Sequence, residues 1–169
     1  MAETLNISIF PKTELSNFHK KTSLVLIHGW GLNSAVWQPF IDSLPSSFFD
    51  TFNIVTIDLP GFGNNINQKI HPYSIANICQ YIVNTIKEPA VYLGWSLGGL
   101  IATEMAINHP EKVLGLVTIA SSPHFLEEKN QKLEENPLVW PGIKAKVLES
   151  FYHQLQVDIQ KTITNFLKI

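Results

Sequence analysis

The sequence predicts an α/β fold: a mostly parallel sheet with helices flanking it. Three observations carry that prediction. Residues 24–27, 53–59, 91–93 and 113–120 form strand-like apolar runs without strict alternation, as expected of strands covered on both faces. Segments with apolar residues three and four apart lie between those runs, which gives the alternation of strand and helix that builds parallel sheets through crossover connections. Directly behind Val91-Tyr92-Leu93 stands Gly94-Trp95-Ser96-Leu97-Gly98-Gly99, a G-x-S-x-G pattern of the kind that turns a strand sharply into a helix.

The elements are taken in chain order. Residues 5–10 and the region around Phe18 are expected to form a short opening hairpin. After the 24–27 strand, Ser34 can cap a helix running to Leu44, with Trp37, Phe40, Ile41 and Leu44 on one face. Residues 46–50 read as a connector into the 53–59 strand, and 63–68 as a polar loop. Ile75, Ile78, Cys79, Ile82 and Ile86 recur at helical spacing and predict a helix over 73–86. Residues 97–108 form the helix behind the serine, ended by His109-Pro110. Residues 113–120 read as the next buried strand, and 127–136 as a solvated loop or short surface helix. Beyond Trp140 the pattern turns helical. Val147, Leu148, Phe151, Tyr152, Leu155, Ile159, Ile163, Phe166 and Leu167 mark an apolar stripe with a break near Val157-Asp158. The expected division is residues 1–139 as the sheet-bearing part and 140–169 as the start of a helical lid.

The chemistry centres on Ser96. A serine at a sharp strand-to-helix turn sits in a strained backbone conformation, which requires neighbours without bulk; Gly94 and Gly98 meet that need. Its hydroxyl then stands clear of the sheet as a nucleophile, while the start of the helix directs backbone N–H groups at a reacting carbonyl. The residue after the nucleophile, Leu97, is the first expected oxyanion donor. The second is Trp30, in the loop His28-Gly29-Trp30-Gly31 that comes after the 24–27 strand. His28 reads as a brace for that loop rather than a catalytic group, because it precedes the nucleophile. Asp58 also precedes it, and the Ser…Asp/Glu…His order of such sites excludes it as the catalytic acid. It reads as pinning its own loop.

These residues carry a resemblance. His28-Gly29-Trp30-Gly31, the run Asp58-Leu59-Pro60-Gly61-Phe62-Gly63 and Gly94-Trp95-Ser96-Leu97-Gly98-Gly99 resemble the α/β-hydrolase superfamily, from about Ser23 to the last residue. Ala120-Ser121-Ser122-Pro123-His124-Phe125 and Trp140-Pro141-Gly142-Ile143-Lys144, together with Gly29-Trp30-Gly31-Leu32-Asn33, narrow the resemblance to the esterases of biotin synthesis that cleave the methyl ester of pimeloyl-[acyl-carrier protein]. It implies an α/β-hydrolase fold and a serine carboxylesterase releasing methanol and a free pimeloyl carboxylate, with acyl carrier protein as partner. It implies substrate contacts at Trp30, Ser96 and Leu97, and at Phe166, Leu167 and Ile169 in a lid segment lining the acyl channel. Lys161 falls where similar esterases place a basic residue facing the carrier protein. Asn165 stands where they have another, so that charge is lost here.

Composition sets the remaining expectations. With 45% hydrophobic residues, 15% charged residues and a net charge of −2, the chain is globular in character and neither nucleic-acid-seeking nor disordered. Cys79 is alone, so no internal disulfide can form, and its helical setting favours a buried thiol. No leader or apolar run of spanning length is evident, so a cytoplasmic enzyme without a membrane partner is expected, and the full-length enzyme is expected to be a monomer. No metal-ligand spacing, phosphate-cradling loop or flavin motif is present, and no cofactor is expected. All twelve basic residues are lysine, so an anionic partner would meet ammonium groups rather than a bidentate guanidinium.

The largest departure from the family is the triad. It needs an acid and a histidine after the serine, at the ends of later strands. After Ser96 the sequence offers one aspartate, Asp158, and the histidines His109, His124 and His153, none in that context. Loss of a triad histidine costs about a million-fold in kcat in a serine protease. The expectation is therefore that these 169 residues lack the C-terminal strands with the triad Asp and His, leave 113–120 with an open apolar strand edge prone to self-association, and are inactive alone. The alternative is a non-catalytic remnant or acyl-binding module on the same fold.

Overall fold

The computed structural model of the protein describes residues 4–11, 21–129 and 138–166. The chain divides into two compact units, Met1–Ser122 and Pro123–Ile169. The first is a five-stranded sheet with helices on both faces. Its elements are β1 (Ile7–Phe10), β2 (Thr22–Ile27), α1 (Gln38–Ser43), α2 (Phe48–Thr51), β3 (Phe52–Ile57), α3 (Ile75–Thr85), β4 (Ala90–Trp95), α4 (Leu97–Asn108) and β5 (Val113–Ile119). The strand order is β1-β3-β2-β4-β5; all neighbours are parallel except β1 and β3.

Period-two alternation along the strands sorts their side chains into two cores. Val25, Ile27, Val55, Ile57 and Tyr92 face α3 and α4, meeting Ile78, Cys79, Ile82, Ile101, Ala102 and Met105. Leu24, Leu26, Ile54 and Leu93 face the other way, onto Trp37 and Ile41. Because both faces are covered, the strands carry apolar residues at consecutive positions, which is why they read as continuous runs.

Several local expectations are corrected. β1 pairs antiparallel with β3, as Ile7 opposite Ile57 and Phe10 opposite Ile54, rather than forming a hairpin; the region around Phe18 lies outside the described residues. The helix expected from Ser34 begins as a 3-10 turn, Ser34–Trp37, capped by Asn33, whose side chain accepts the Ala35 N–H. It becomes α-helical only at Gln38, with Pro39 in the first turn, where a missing N–H does no harm. The connector at 46–50 contains the single turn α2.

β5 lies at one end of the strand order, the open apolar edge expected for 113–120 in this chain, and is less buried than its apolar sequence suggests, with Leu114, Leu116, Val117 and Ile119 all 40% exposed or more. An edge strand has a neighbour on one side only, so apolar sequence alone does not bury it. α3 and α4 fall within the predicted helices, and Ser74 caps α3 by accepting the Asn77 N–H.

The second unit contains the two-stranded pair β6 (Glu128–Lys129) and β7 (Leu138–Trp140), then α5 (Ala145–Val157) and α6 (Ile159–Phe166). Glu128 and Lys129, which read from sequence as loop or helix, form a strand because pairing with β7 overrides their weak local preference. The rest of the polar stretch lies outside the described residues. The helix break falls at Asp158, as the stripe predicts. Its carboxylate accepts the Lys161 N–H at 2.9 Å and its carbonyl accepts the Thr162 N–H at 3.1 Å, so one residue ends α5 and caps α6. Among the described residues no helix is long and apolar enough to cross a membrane.

Candidate functional site at the carboxyl ends of the strands

The parallel register sets Ile27 beside both Ile57 and Gly94, and Gly94 beside Thr118. The segments after β2, β3, β4 and β5 therefore emerge from the same edge of the sheet. β2 leads outward to β3 on one side and β4 to β5 on the other. The order reverses between β2 and β4, and a crevice at such a reversal is where open α/β sheets hold ligands. The His28–Gly31 loop and Ser96 flank that crevice.

Ser96 is one of two non-glycine described residues with positive φ, at φ 53° and ψ −115°. This is the strained turn expected of the elbow. Its surroundings require glycine: a Cβ on Gly94 would overlap the Gly98 carbonyl, and one on Gly98 would overlap the Ile27 carbonyl. At Gly29 the fit is looser, a Cβ there lying 3.4 Å from the Cβ of Ser96, so the loop after β2 lies directly against Ser96.

The Ser96 backbone is tied on every side. Its N–H donates to the Ile119 carbonyl at 2.9 Å. Its carbonyl accepts from Gly99 N–H at 2.9 Å, Leu100 N–H at 3.2 Å and the Ser121 hydroxyl at 2.7 Å. Leu97 is the first residue of α4, so its N–H has no partner within the helix and is available at the helix's positive end. Trp30, half-buried, occupies the loop that Gly29 holds against the elbow.

His28 and Asp58 brace the site. His28 is fully buried; Leu59 N–H donates to Nε2 at 3.0 Å, which leaves Nδ1–H to donate to the Gly29 carbonyl at 2.7 Å. Burial holds its pKa below the usual 6.5, outweighing the Gly29 bond and the Asp58 charge, which act upward. Asp58 does more than pin its own loop. One carboxylate oxygen accepts Ser34 N–H at 2.6 Å, and the other accepts Asn64 N–H at 2.8 Å, joining the segments after β2 and β3. Asn65, within a stretch that reads as a polar loop, is buried. Its side-chain amide donates to the Asp58 carbonyl and its oxygen accepts from Asn6 N–H. Cys79 is buried, and burial pushes its thiol up to about 12, so it stays protonated.

The remaining candidates lie away from this crevice or in the second unit. His109 comes after the last residue of the twelve-residue α4, about 18 Å along the helix axis from its start, and belongs to the opposite end of the sheet. In the second unit, His124 Nε2 lies 3.2 Å from a Glu128 carboxylate oxygen, and the Trp140 indole donates to the His124 carbonyl at 2.9 Å. His153 and Asp158 line an open groove of about 760 Å³ with Lys146, Lys161 and Asn165. Phe166 is half-exposed, its ring 5.4 Å from that of Phe151. Leu167 and Ile169 lie outside the described residues. Sequence reasoning passes over Ser121, whose hydroxyl reaches the Ser96 carbonyl; the one signal that could find it is a hydroxyl shortly after the strand neighbouring the elbow.

Comparison with known proteins agrees with this geometry. Residues 22–151 match the family model described as the alpha/beta hydrolase fold. The chain is 43% identical over 146 residues to a pimeloyl-[acyl-carrier protein] methyl ester esterase of Photorhabdus laumondii, covering 86% of this chain and 50% of that protein. It is 42% identical over 149 residues to one of Edwardsiella ictaluri, covering 88% and 52%. The chain thus spans about half the length of the curated relatives it matches. Among solved structures, an esterase from Exiguobacterium antarcticum superposes with a TM-score of 0.71 at 16% identity, covering 98% of this chain and 60% of that one. A hydrolase from Pseudomonas aeruginosa superposes at 0.67 and 20% identity, covering 96% and 53%. At these identities the structural matches establish the fold.

The buried His28 gives a signed pH dependence. Its folded pKa lies below the unfolded value, so the unfolded state binds the extra proton first as pH falls below 6.5. Stability in the whole protein is expected to fall below that pH, by at most about 1.4 kcal/mol per pH unit from this group. Denaturant titrations from pH 7.5 to 5 should show this component in the wild type and its absence in His28→Gln.

Proposed function

The chain belongs to the alpha/beta hydrolase fold family, and on that premise we propose that the whole protein is a serine carboxylesterase that hydrolyses the methyl ester of pimeloyl-[acyl-carrier protein]. The observation that carries this reading is Ser96 at φ 53°, held between β4 and α4 with the Gly29 loop against it. The names of the relatives supply the substrate. In this reading Ser96 Oγ attacks the ester carbonyl as its proton passes to a general base. The N–H groups of Leu97 and Trp30 receive the developing oxyanion, and one such donor contributes about 2.7–4 kcal/mol. The C–O bond to the methoxy group breaks, and methanol leaves with the proton returned by the base. Water then cleaves the acyl-enzyme to give the carboxylate and restore Ser96.

His109, His124, His153 and Asp158 have the placements described above, and none is assigned to the triad. This reading gives the acid and base to the half of the relatives' length without counterpart in these 169 residues. The 169 residues alone are then expected to hydrolyse esters only at background rate. Phe166 is proposed as an acyl-chain contact, together with Leu167 and Ile169. Lys161 is proposed to draw in an acidic carrier protein through long-range, salt-screened attraction.

In the whole protein, Ser96→Ala is expected to reduce hydrolysis of pimeloyl methyl esters and short aryl esters to background. A fluorophosphonate should label Ser96 and no other residue. Substantial activity in the alanine variant, or label elsewhere, would reject the nucleophile. Phe166→Ala should lower kcat/KM for the pimeloyl ester several-fold more than for an acetate ester, because a large apolar face is removed only from the longer chain's path. Equal losses on both esters would remove Phe166 from the acyl site.

A further inference from the structure

Ser96 is not the only strained residue at this edge. Ala120, at φ 46°, is the other non-glycine described residue with positive φ, and it comes directly after β5 as Ser96 does after β4. The two strand ends are joined by the Ser96 N–H bond to the Ile119 carbonyl. The turn at Ala120 brings Ser121 back onto the elbow, where its hydroxyl donates to the Ser96 carbonyl at 2.7 Å. The fit is close: a Cβ on Gly99 would lie 2.5 Å from both the Cβ and Oγ of Ser121.

That carbonyl belongs to a particular peptide unit. The plane containing the Ser96 C=O also contains the Leu97 N–H, and the two point in opposite directions because a trans peptide is planar. Whatever holds the carbonyl therefore aims the N–H. A donor on the carbonyl oxygen also draws electron density along the amide and makes the N–H at its other end a stronger donor. The bonds from Gly99 and Leu100 come from the first turn of α4 and move with the helix. The Ser121 hydroxyl comes from a different element, so it fixes the plane relative to the sheet.

We propose that Ser121 is a positioning residue for ester hydrolysis, orienting and polarising the Ser96–Leu97 peptide so that the Leu97 N–H meets the oxyanion. The proposal rests on the reading of Ser96 as nucleophile and Leu97 as oxyanion donor. It specifies a transition-state effect: kcat falls, KM does not, and affinity for an analogue of the tetrahedral intermediate falls with kcat.

The test is steady-state hydrolysis of a short aryl ester by the whole protein carrying Ser121→Ala, with inhibition by a trifluoromethyl ketone and a thermal melt measured alongside. Misaiming one oxyanion donor without deleting it is expected to cost about tenfold in kcat, a fraction of the 10²–10³ seen when a donor is removed. KM should stay within twofold, and the ketone should bind about tenfold more weakly. Ser121→Cys, with a weaker donor in nearly the same volume, should fall between, and it carries the test alone should Ser121→Ala not fold. Wild-type kcat in a folded variant, even with a lowered Tm, overturns the proposal, as does a loss expressed in KM. Failure of the underlying reading is separately visible, since Ser96→Ala would then keep its activity.

Discussion

Where α4 leaves β4, backbone packs directly on backbone. A side chain at Gly98 would collide with the Ile27 and His28 carbonyls, and one at Gly94 with the carbonyl of Gly98. That contact draws three things together. The helix start lies close against β2, the loop after β2 lies against Ser96, and Ser96 is forced into a backbone conformation that a free chain avoids. A strained residue of this kind costs of order 1–3 kcal/mol and persists only where its surroundings over-determine it. Here the over-determination is explicit, in four hydrogen bonds on the Ser96 peptide groups from three directions.

The sheet supplies the frame for that contact. Its order reverses between β2 and β4, so the two connections diverge and leave a crevice at their carboxyl ends. Cores on both faces hold the strands in register, with Tyr92, Ile27 and Ile57 on one side and Leu26 and Ile54 on the other. Buried polar groups then lock the loops. Asp58 ties the segment after β2 to that after β3, and the neutral His28 ring spans from the Gly29 carbonyl to the Leu59 amide.

The sheet and the strained turn at Ser96 are legible in the sequence because each rests on a strong local constraint. Apolar runs ending in glycine mark covered parallel strands, and glycines two residues either side of a serine have few structural uses. The helix break at Asp158 is legible for a similar reason, since one residue both interrupts the apolar stripe and caps α6. The features hidden from the sequence are those set by tertiary partners. β1 reads as half of a hairpin, but β3 is its partner; Glu128 and Lys129 read as loop until β7 pairs with them. The polar contributors are hidden most thoroughly. Nothing in the letters of Asn65 or Ser121 distinguishes a solvated side chain from one that donates to a specific carbonyl.

The turn at Ser96 depends on the closeness of α4 to β2 at Gly98, and replacing that one hydrogen with a methyl group tests this dependence most directly. In the whole protein, Gly98→Ala should force the helix start away from the Ile27 carbonyl and relax the turn at Ser96. The expected result is a loss of about 1–3 kcal/mol in stability, the usual range for overpacking, together with at least tenfold slower fluorophosphonate labelling of Ser96. An alanine variant with wild-type Tm and wild-type labelling rate would contradict that dependence.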